Sequence, residues 1–209
     1  MWPCENLTDL ELDGLKESMN ICMGKAASAL SEIFGKQVRI SIPQVILEPA
    51  EQIRGALGAY DRVVAVSISI VGDAKGDLML FFNKPDASSL ANLLLGDSGD
   101  GGGLQVLDEQ KKSALTEVGN IVLSGFLNSL AEFTSATFMH EVPRFHETSQ
   151  EIFELSRSTQ FMKRDGSLGF LLRAEFEVDS DVAGGSLFLF PELSLLSMLI
   201  KSIRNMLGC

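Results

Sequence analysis

Two segments decide how this chain reads: Asp13–Pro43, DGLKESMNICMGKAASALSEIFGKQVRISIP, and Ser113–Pro143, SALTEVGNIVLSGFLNSLAEFTSATFMHEVP. Each is a helix-period run followed by a short strand-period run that closes on proline. Aligned without a gap at an offset of 100 residues, they match at Leu15/Leu115, Glu17/Glu117, Asn20/Asn120, Ile21/Ile121, Leu30/Leu130, Glu32/Glu132 and Pro43/Pro143. That register marks an internal duplication. It reaches beyond the two segments, because Gly76-Asp-Leu-Met-Leu-Phe is echoed by Gly185-Ser-Leu-Phe-Leu-Phe.

Outward from these segments the elements fall in the same order twice. Residues 8–34 read as a long helix, opened by the capping box Thr8/Glu11 and stopped by Gly35. Strands follow at Val38–Ile42, Val63–Val71 and Leu78–Phe82, and Pro85 opens a helix to Leu95. A second long helix covers Leu107–Phe133. It is followed by strands at Thr137–Val142, Leu168–Val178 and Ser186–Phe190, and by a helix opened by Pro191 that carries Ile200 and Ile203. The expected organisation is one α+β domain of two repeats, about 8–95 and 107–207, joined by the Gly/Asp-rich linker 96–103. Each unit is too small for a good core. The two are expected to share one mainly antiparallel sheet in a pseudo-two-fold arrangement and to bury one face of both long helices on it.

Composition narrows the function. The 209 residues are 45% hydrophobic, the balance of a soluble globular chain with a sizeable core. With 17 Lys+Arg against 28 Asp+Glu the net charge is −11, which argues against nucleic acid or an anionic membrane surface as partner. No apolar run approaches the ~20 residues of a membrane span, and the start has no signal-peptide pattern. Cys4, Cys22 and Cys209 form no CxxC and no even framework, so free thiols in a reducing cytoplasm are expected. Two histidines, His140 and His146, are too few for a His-rich metal site and poor support for a Ser-His-Asp hydrolase; strand-end or surface roles suit them better. The run 96–103 lacks the GK[ST] ending of a phosphate-cradling loop, and Asp97 and Asp100 would repel a phosphate. Met162-Lys163-Arg164 is too small a basic spot for nucleic acid.

On a wheel of about 100° per residue, Asp13, Glu17, Asn20, Gly24, Ala27 and Ser31 lie within about 40° of one line. Leu15, Met19, Cys22, Ala26, Leu30 and Ile33 lie opposite. In the second helix Ser113, Glu117, Asn120, Ser124 and Ala131 share the polar stripe, with Leu127 as its bulky exception. Leu115, Val122, Phe126, Leu130 and Phe133 take the other face. A single Glu–Asn pair on a polar helix face is ordinarily just solvated. Asparagine is a mediocre mid-helix residue, however, and here it sits mid-helix twice, in register.

The pattern Asp/Ser, three residues, Glu, two residues, Asn, twenty-two residues, Pro resembles the signature of the CheC/CheX/FliY phosphatases of chemotaxis. The first copy is Asp13-GLK-Glu17-SM-Asn20 with Pro43, and the second is Ser113-ALT-Glu117-VG-Asn120 with Pro143. The resemblance covers essentially the whole chain. Two copies, with no C-terminal switch domain after Cys209, are most similar to CheC. Met19 departs from the glycine more usual before the Asn; it lies on the inward side of the wheel, so altered packing is expected there.

The resemblance implies hydrolysis of the aspartyl phosphate of a CheY-type response regulator. An acyl phosphate is already activated, so it needs a water held in line rather than an enzyme nucleophile. An asparagine amide can orient that water but cannot take its proton, which makes Asn20 and Asn120 the expected water-positioning groups. By family analogy Glu17 and Glu117 anchor a lysine of the regulator. The reaction's Mg²⁺ is expected in the regulator, with no cofactor held by this chain. Asp13 and Ser113 could bond the partner or fix the Glu rotamer, and Asp13 could equally be a dipole-favoured early-helix acid. Pro43 and Pro143 read as structural, each ending a strand and stiffening the turn beyond. The competing expectation is a weakly active adaptor that chiefly binds the receptor deamidase CheD or the phosphorylated regulator. A flagellar switch component ranks last. A cytoplasmic monomer is expected, since an internal pseudo-two-fold removes the need to dimerise.

Overall fold

Thr8 starts the first helix as the sequence anticipates. Its hydroxyl accepts from the Glu11 N–H at 3.3 Å, and the Glu11 carboxylate accepts from the Thr8 N–H at 2.7 Å. Two of the orphan donors at the helix start are thereby satisfied. This computed structural model describes residues 8–49, 52, 63–96, 107–147, 168–179 and 181–207. Helix α1 (Asp9–Phe34) ends at Gly35, whose φ of 64° lies in the left-handed region that glycine adopts without strain. Strands β1 (Val38–Pro49), β2 (Val63–Gly72) and β3 (Gly76–Asn83) follow, then helix α2 (Lys84–Leu95), capped by Asn83 with Pro85 in its first turn. Helix α3 (Glu109–Thr134) is capped by Asp108, which accepts from the Lys111 N–H at 2.8 Å. Then come β4 (Phe138–His140), β5 (Arg144–His146), β6 (Leu168–Val178), β7 (Asp181–Pro191) and α4 (Leu193–Leu207).

The sheet runs β1-β6-β7-β3-β2-β4, with β5 also paired to β2, and every pairing is antiparallel. Two hairpins, β2–β3 and β6–β7, meet at the β3–β7 seam in the middle. The leading strand of each half lies on the hairpin of the other. β1 pairs with β6, while β4 and β5 pair with β2. The order therefore reads alike from both edges once the halves are exchanged.

Several local expectations need correction. The strand expected to stop at Ile42 continues to Pro49, so Pro43 lies inside β1 and does not end it. Its position is a bulge: the register to β6 shifts between Ser41 and Gln44, which leaves proline's missing N–H outside the ladder. The strand expected over 137–142 is only Phe138–His140, and Pro143 separates it from β5. Pro191 closes β7, which begins at Asp181, and the last helix opens two residues later at Leu193. The linker beyond Gly96, the basic spot 162–164, Cys4 and Cys209 lie outside the described residues.

Helices α1 and α3 pack on one face of the sheet and on each other. A Cβ on Gly125 would stand 3.1 Å from that of Ala26, so the two backbones cross closely there. The core joins Leu15, Met19, Met23 and Leu30 of α1 to Leu115, Val122, Phe126 and Leu130 of α3. Met19 is 1% exposed and fills space between helix and sheet. Its counterpart Gly119 instead lets α3 approach β2 so closely that a Cβ would lie 2.5 Å from the Val66 side chain. Ala27, placed by the wheel on the polar stripe, is buried, and Ile33, placed inward, is exposed in the last turn of α1. Val64, Val66, Ile68 and Ile70 of β2 join this core. Val63 and Ala65, pointing the other way, join a second apolar cluster with Met79, Phe81, Phe188 and Phe190. Burial of both faces is why β2 opens on the apolar run Val63–Val66 before Ser67 and Ser69 alternate with Ile68 and Ile70. Helix α4 buries Leu195, Leu196, Leu199, Ile200 and Ile203, and its Arg204 pairs with Glu11 at 2.8 Å.

Candidate functional site

In the first half Asp13 and Glu17 are exposed on α1, and Asn20, one turn on from Glu17, is half-buried. In the second half Ser113 and Glu117 are exposed on α3 and Asn120 is half-buried. Among the described residues none of the four outward groups, Asp13, Glu17, Ser113 and Glu117, makes a side-chain hydrogen bond or ion pair. Each acid is therefore free to meet a cation from outside. Ile21, the residue after Asn20, and Val142, the residue before Pro143, are exposed.

Asn20 is held from both ends by its own chain. Its Oδ1 accepts from the Ile42 N–H at 2.7 Å, and its Nδ2 donates to the Ile42 carbonyl and to the Lys16 carbonyl, both at 3.1 Å. The reason lies in the β1 bulge. Ile42 falls in the gap of the β1–β6 register, its side chain is buried, and its peptide groups need partners. The Asn20 carboxamide takes the place of a neighbouring strand, so the fixed spacing from Asn20 to the Ile42-Pro43 dipeptide has a geometric cause. Both N–H donors of Asn20 are engaged, and one lone pair of Oδ1 remains available.

Asn120 is held differently. Beyond Glu141 the chain leaves the ladder. The Glu141 N–H bonds the Ser69 carbonyl at 3.0 Å, and Val142, the counterpart of Ile42, is 81% exposed. Asn120 instead accepts from the Ser124 hydroxyl at 3.3 Å. Ser124 Oγ is 3.0 Å from His140 Nε2, and His140 Nδ1 is 2.9 Å from the Glu141 carbonyl oxygen. Among the described residues Nδ2 of Asn120 has no acceptor. The sequence reading placed Ser124 on the polar stripe but gave it no task, and it left His140 at a strand end. The one available signal was that His140 precedes Pro143 by three residues, within reach of that stripe.

Elsewhere the strongest electrostatic feature is Glu11. Hydrogen bonds from the Arg204 guanidinium and the Thr8 backbone N–H hold its carboxyl at about 2, well below the ordinary 4.5. It ties the start of α1 to α4. No helix among the described residues is long and apolar enough to cross a membrane.

The fold is thus a duplicated helix pair on a strand-exchanged antiparallel sheet, each helix carrying an acid and an amide one turn apart. The CheC-like family matches this chain twice, at residues 10–47 and 111–147, once for each Glu/Asn helix and the strand after it. Over these two segments the chain is similar to the CheC-like family. It is 28% identical over 140 residues to the flagellar motor switch phosphatase FliY of Bacillus subtilis, covering 67% of this chain and 36% of that one. It thus spans about a third of the length of that relative. It is 28% identical over 151 residues to the CheY-P phosphatase CheC of the same organism, covering 68% of each. Among solved structures, Thermotoga maritima FliY superposes with a TM-score of 0.75 at 25% identity, covering 95% of this chain and 98% of that one.

Proposed function

We propose that this chain is a phosphatase for the aspartyl phosphate of a CheY-type response regulator. The observation that carries the reading is the twofold placement of an unpaired, exposed glutamate one turn before an asparagine whose amide is hydrogen-bonded within the chain. The name of the CheC relative, a CheY-P phosphatase, supplies the substrate. Glu17 or Glu117 meets a lysine of the regulator in a charge-assisted hydrogen bond and so sets the register of the helix on the partner. Asn20 or Asn120 then holds a water in line with the scissile P–O bond. Holding that water lowers the entropic cost of attack without any proton transfer by the amide. A preset amide serves this better than a free one, because an orienting group must not itself reorient during the reaction. The Mg²⁺ used by acyl-phosphate chemistry is assigned to the regulator.

A second reading draws on the Asn20 geometry. With both of its N–H groups bonded to its own backbone, the first half could serve mainly to bind, as an adaptor for the regulator or for a CheD-type deamidase, while the second half turns over. One assay separates the two readings. Decay of a phosphorylated CheY-type protein is followed with the wild type, with Asn20→Ala, with Asn120→Ala and with the double variant, folding being checked by circular dichroism. Loss of acceleration only in the double variant means two working sites. Full loss with Asn120→Ala alone means a binding first half. Unchanged decay with the folded double variant would end the phosphatase assignment.

A further inference from the structure

We infer that Ser124 and His140 are positioning residues for Asn120, and that the proton on His140 Nε2 decides which end of the Asn120 carboxamide faces outward. The inference rests on the phosphatase reading for its catalytic consequence, but the relay itself rests on geometry alone.

Asn20 needs no such device, because the Ile42 peptide holds both of its ends. At the positions matching Ser124 and His140, 100 residues earlier, stand Gly24 and Ile40, which cannot form the relay. In the second half the chain leaves the ladder only after Glu141, whose N–H still bonds the Ser69 carbonyl, and among the described residues the Ser124–His140 pair, not a backbone group, holds Asn120.

Counting hydrogens gives the switch. The Glu141 carbonyl oxygen only accepts, so His140 Nδ1 carries a hydrogen in either charge state. Ser124 has a single hydroxyl hydrogen and two neighbours. When the ring is an imidazolium, Nε2–H donates to Ser124 Oγ and the Ser124 hydroxyl donates to Asn120 Oδ1. Every link is then satisfied with Oδ1 turned inward, as the structure has it. When the ring is neutral, the bare Nε2 takes the Ser124 hydrogen, and Ser124 turns a lone pair to Asn120. Only an N–H of the carboxamide satisfies that lone pair. The amide rotates by half a turn, with no change of shape, and presents Oδ1 outward.

The two orientations differ in what they do to a water. A water about to attack phosphorus must keep a lone pair for the phosphorus and give a hydrogen elsewhere. An outward Oδ1 accepts that hydrogen, whereas an outward Nδ2 competes for the lone pair. Neutral His140 is therefore the state that readies the second site. The charged groups on the elements packed against His140 are few. Glu141 and Arg144 lie on its own segment, 3.4 Å apart, and Glu117 lies on the Asn120 side of α3. Strand β2 carries no charged side chain, and Asp77 on β3 beyond it is bonded to Ser69 at 2.9 Å.

The test has two arms. In nitrogen-15 spectra of the full chain, the Asn120 side-chain amide signals should move with the same midpoint as the His140 ring. In Ser124→Ala they should lose that pH response while His140 still titrates. In the second arm a Glu17→Lys background silences the first half through an exposed side chain, and phosphorylated CheY-type protein is the substrate. There Ser124→Ala and His140→Phe should each lower kcat by about three- to tenfold, the worth of one hydrogen bond, with KM unchanged and with Ser124→Thr restoring the rate. Asn120 signals that ignore pH in the wild type, or that respond equally in Ser124→Ala, overturn the relay. Full kcat in both relay variants beside an inactive Asn120→Ala overturns its catalytic role and leaves the phosphatase reading standing. An Asn120→Ala as active as its parent overturns that reading for this half, and the spectra still judge the relay.

Discussion

Asn20 gives Ile42 the pair of hydrogen bonds that a neighbouring strand would give, at 2.7 Å to its N–H and 3.1 Å to its carbonyl oxygen. One side chain on a helix thus completes a strand at its bulge, and the bulge in turn locks the side chain that the phosphatase reading makes catalytic. Asn120 has no such backbone partner, so equivalent substitutions in the two halves should have unequal structural cost.

Asn20→Ala should lower stability by about 1–3 kcal/mol, because it leaves the N–H and C=O of Ile42 unpaired beside a buried side chain. Asn120→Ala should stay within about 0.5 kcal/mol of wild type. Urea midpoints measured on both variants decide the matter. Equal shifts would mean that water already serves Ile42.

Gly119→Ala should destabilise although alanine is the better helix former by up to about 1 kcal/mol. The added Cβ would meet Val66 at 2.5 Å, a contact that only backbone movement relieves, and such overpacking costs about 1–3 kcal/mol. Val66→Ala in the same chain should recover part of the loss, since the two sites are in direct contact. Thermal unfolding of the single and double variants provides the check. A Gly119→Ala protein more stable than wild type would show that α3 can lift from β2 freely.

The Glu11–Arg204 pair should make the α1–α4 contact acid-sensitive. The folded chain binds a proton on Glu11 only at about 2, against 4.5 ordinarily, so the unfolded chain is the better proton binder between those values. The stabilisation is then complete above the ordinary value and lost as pH falls toward about 2. Glu11→Gln should remove that part of the pH dependence and leave neutral-pH folding cooperative. Urea midpoints taken across this window, for both proteins, would expose a wrong assignment as identical slopes.

Glu17→Gln and Glu117→Gln should weaken engagement of the phosphorylated regulator rather than the hydrolytic step, because each removes the charge from an exposed acid that has no partner within the described chain. The expected change is a rise in KM of about tenfold for the site concerned, the scale of one hydrogen bond to a charged group, with kcat retained at saturation. The wild-type KM should also rise with salt more steeply than that of either variant. A fall in kcat at constant KM would assign the glutamates to the reaction itself.

The sequence alone determined whatever is encoded by neighbours along the chain. The Thr8/Glu11 cap and the Gly35 stop bound α1 through contacts within one helical turn, and the Glu–Asn spacing places Glu17 and Asn20 together through helix periodicity alone. The register of 100 residues between the halves was equally open to inspection, since repetition needs no coordinates. Only the tertiary structure decided the rest. That β1 crosses to β6 while β4 and β5 cross to β2 depends on which sheet edges remain unpaired after the hairpins form. That Pro43 sits inside a strand depends on the partner strand skipping a residue opposite it. Whether an asparagine finds a backbone, as Asn20 does, or a serine and a histidine, as Asn120 does, follows from where the returning chain leaves the sheet. Hydrogen bonds between segments distant in sequence go to whichever polar groups folding would otherwise strand without water, and no local pattern records which groups those are.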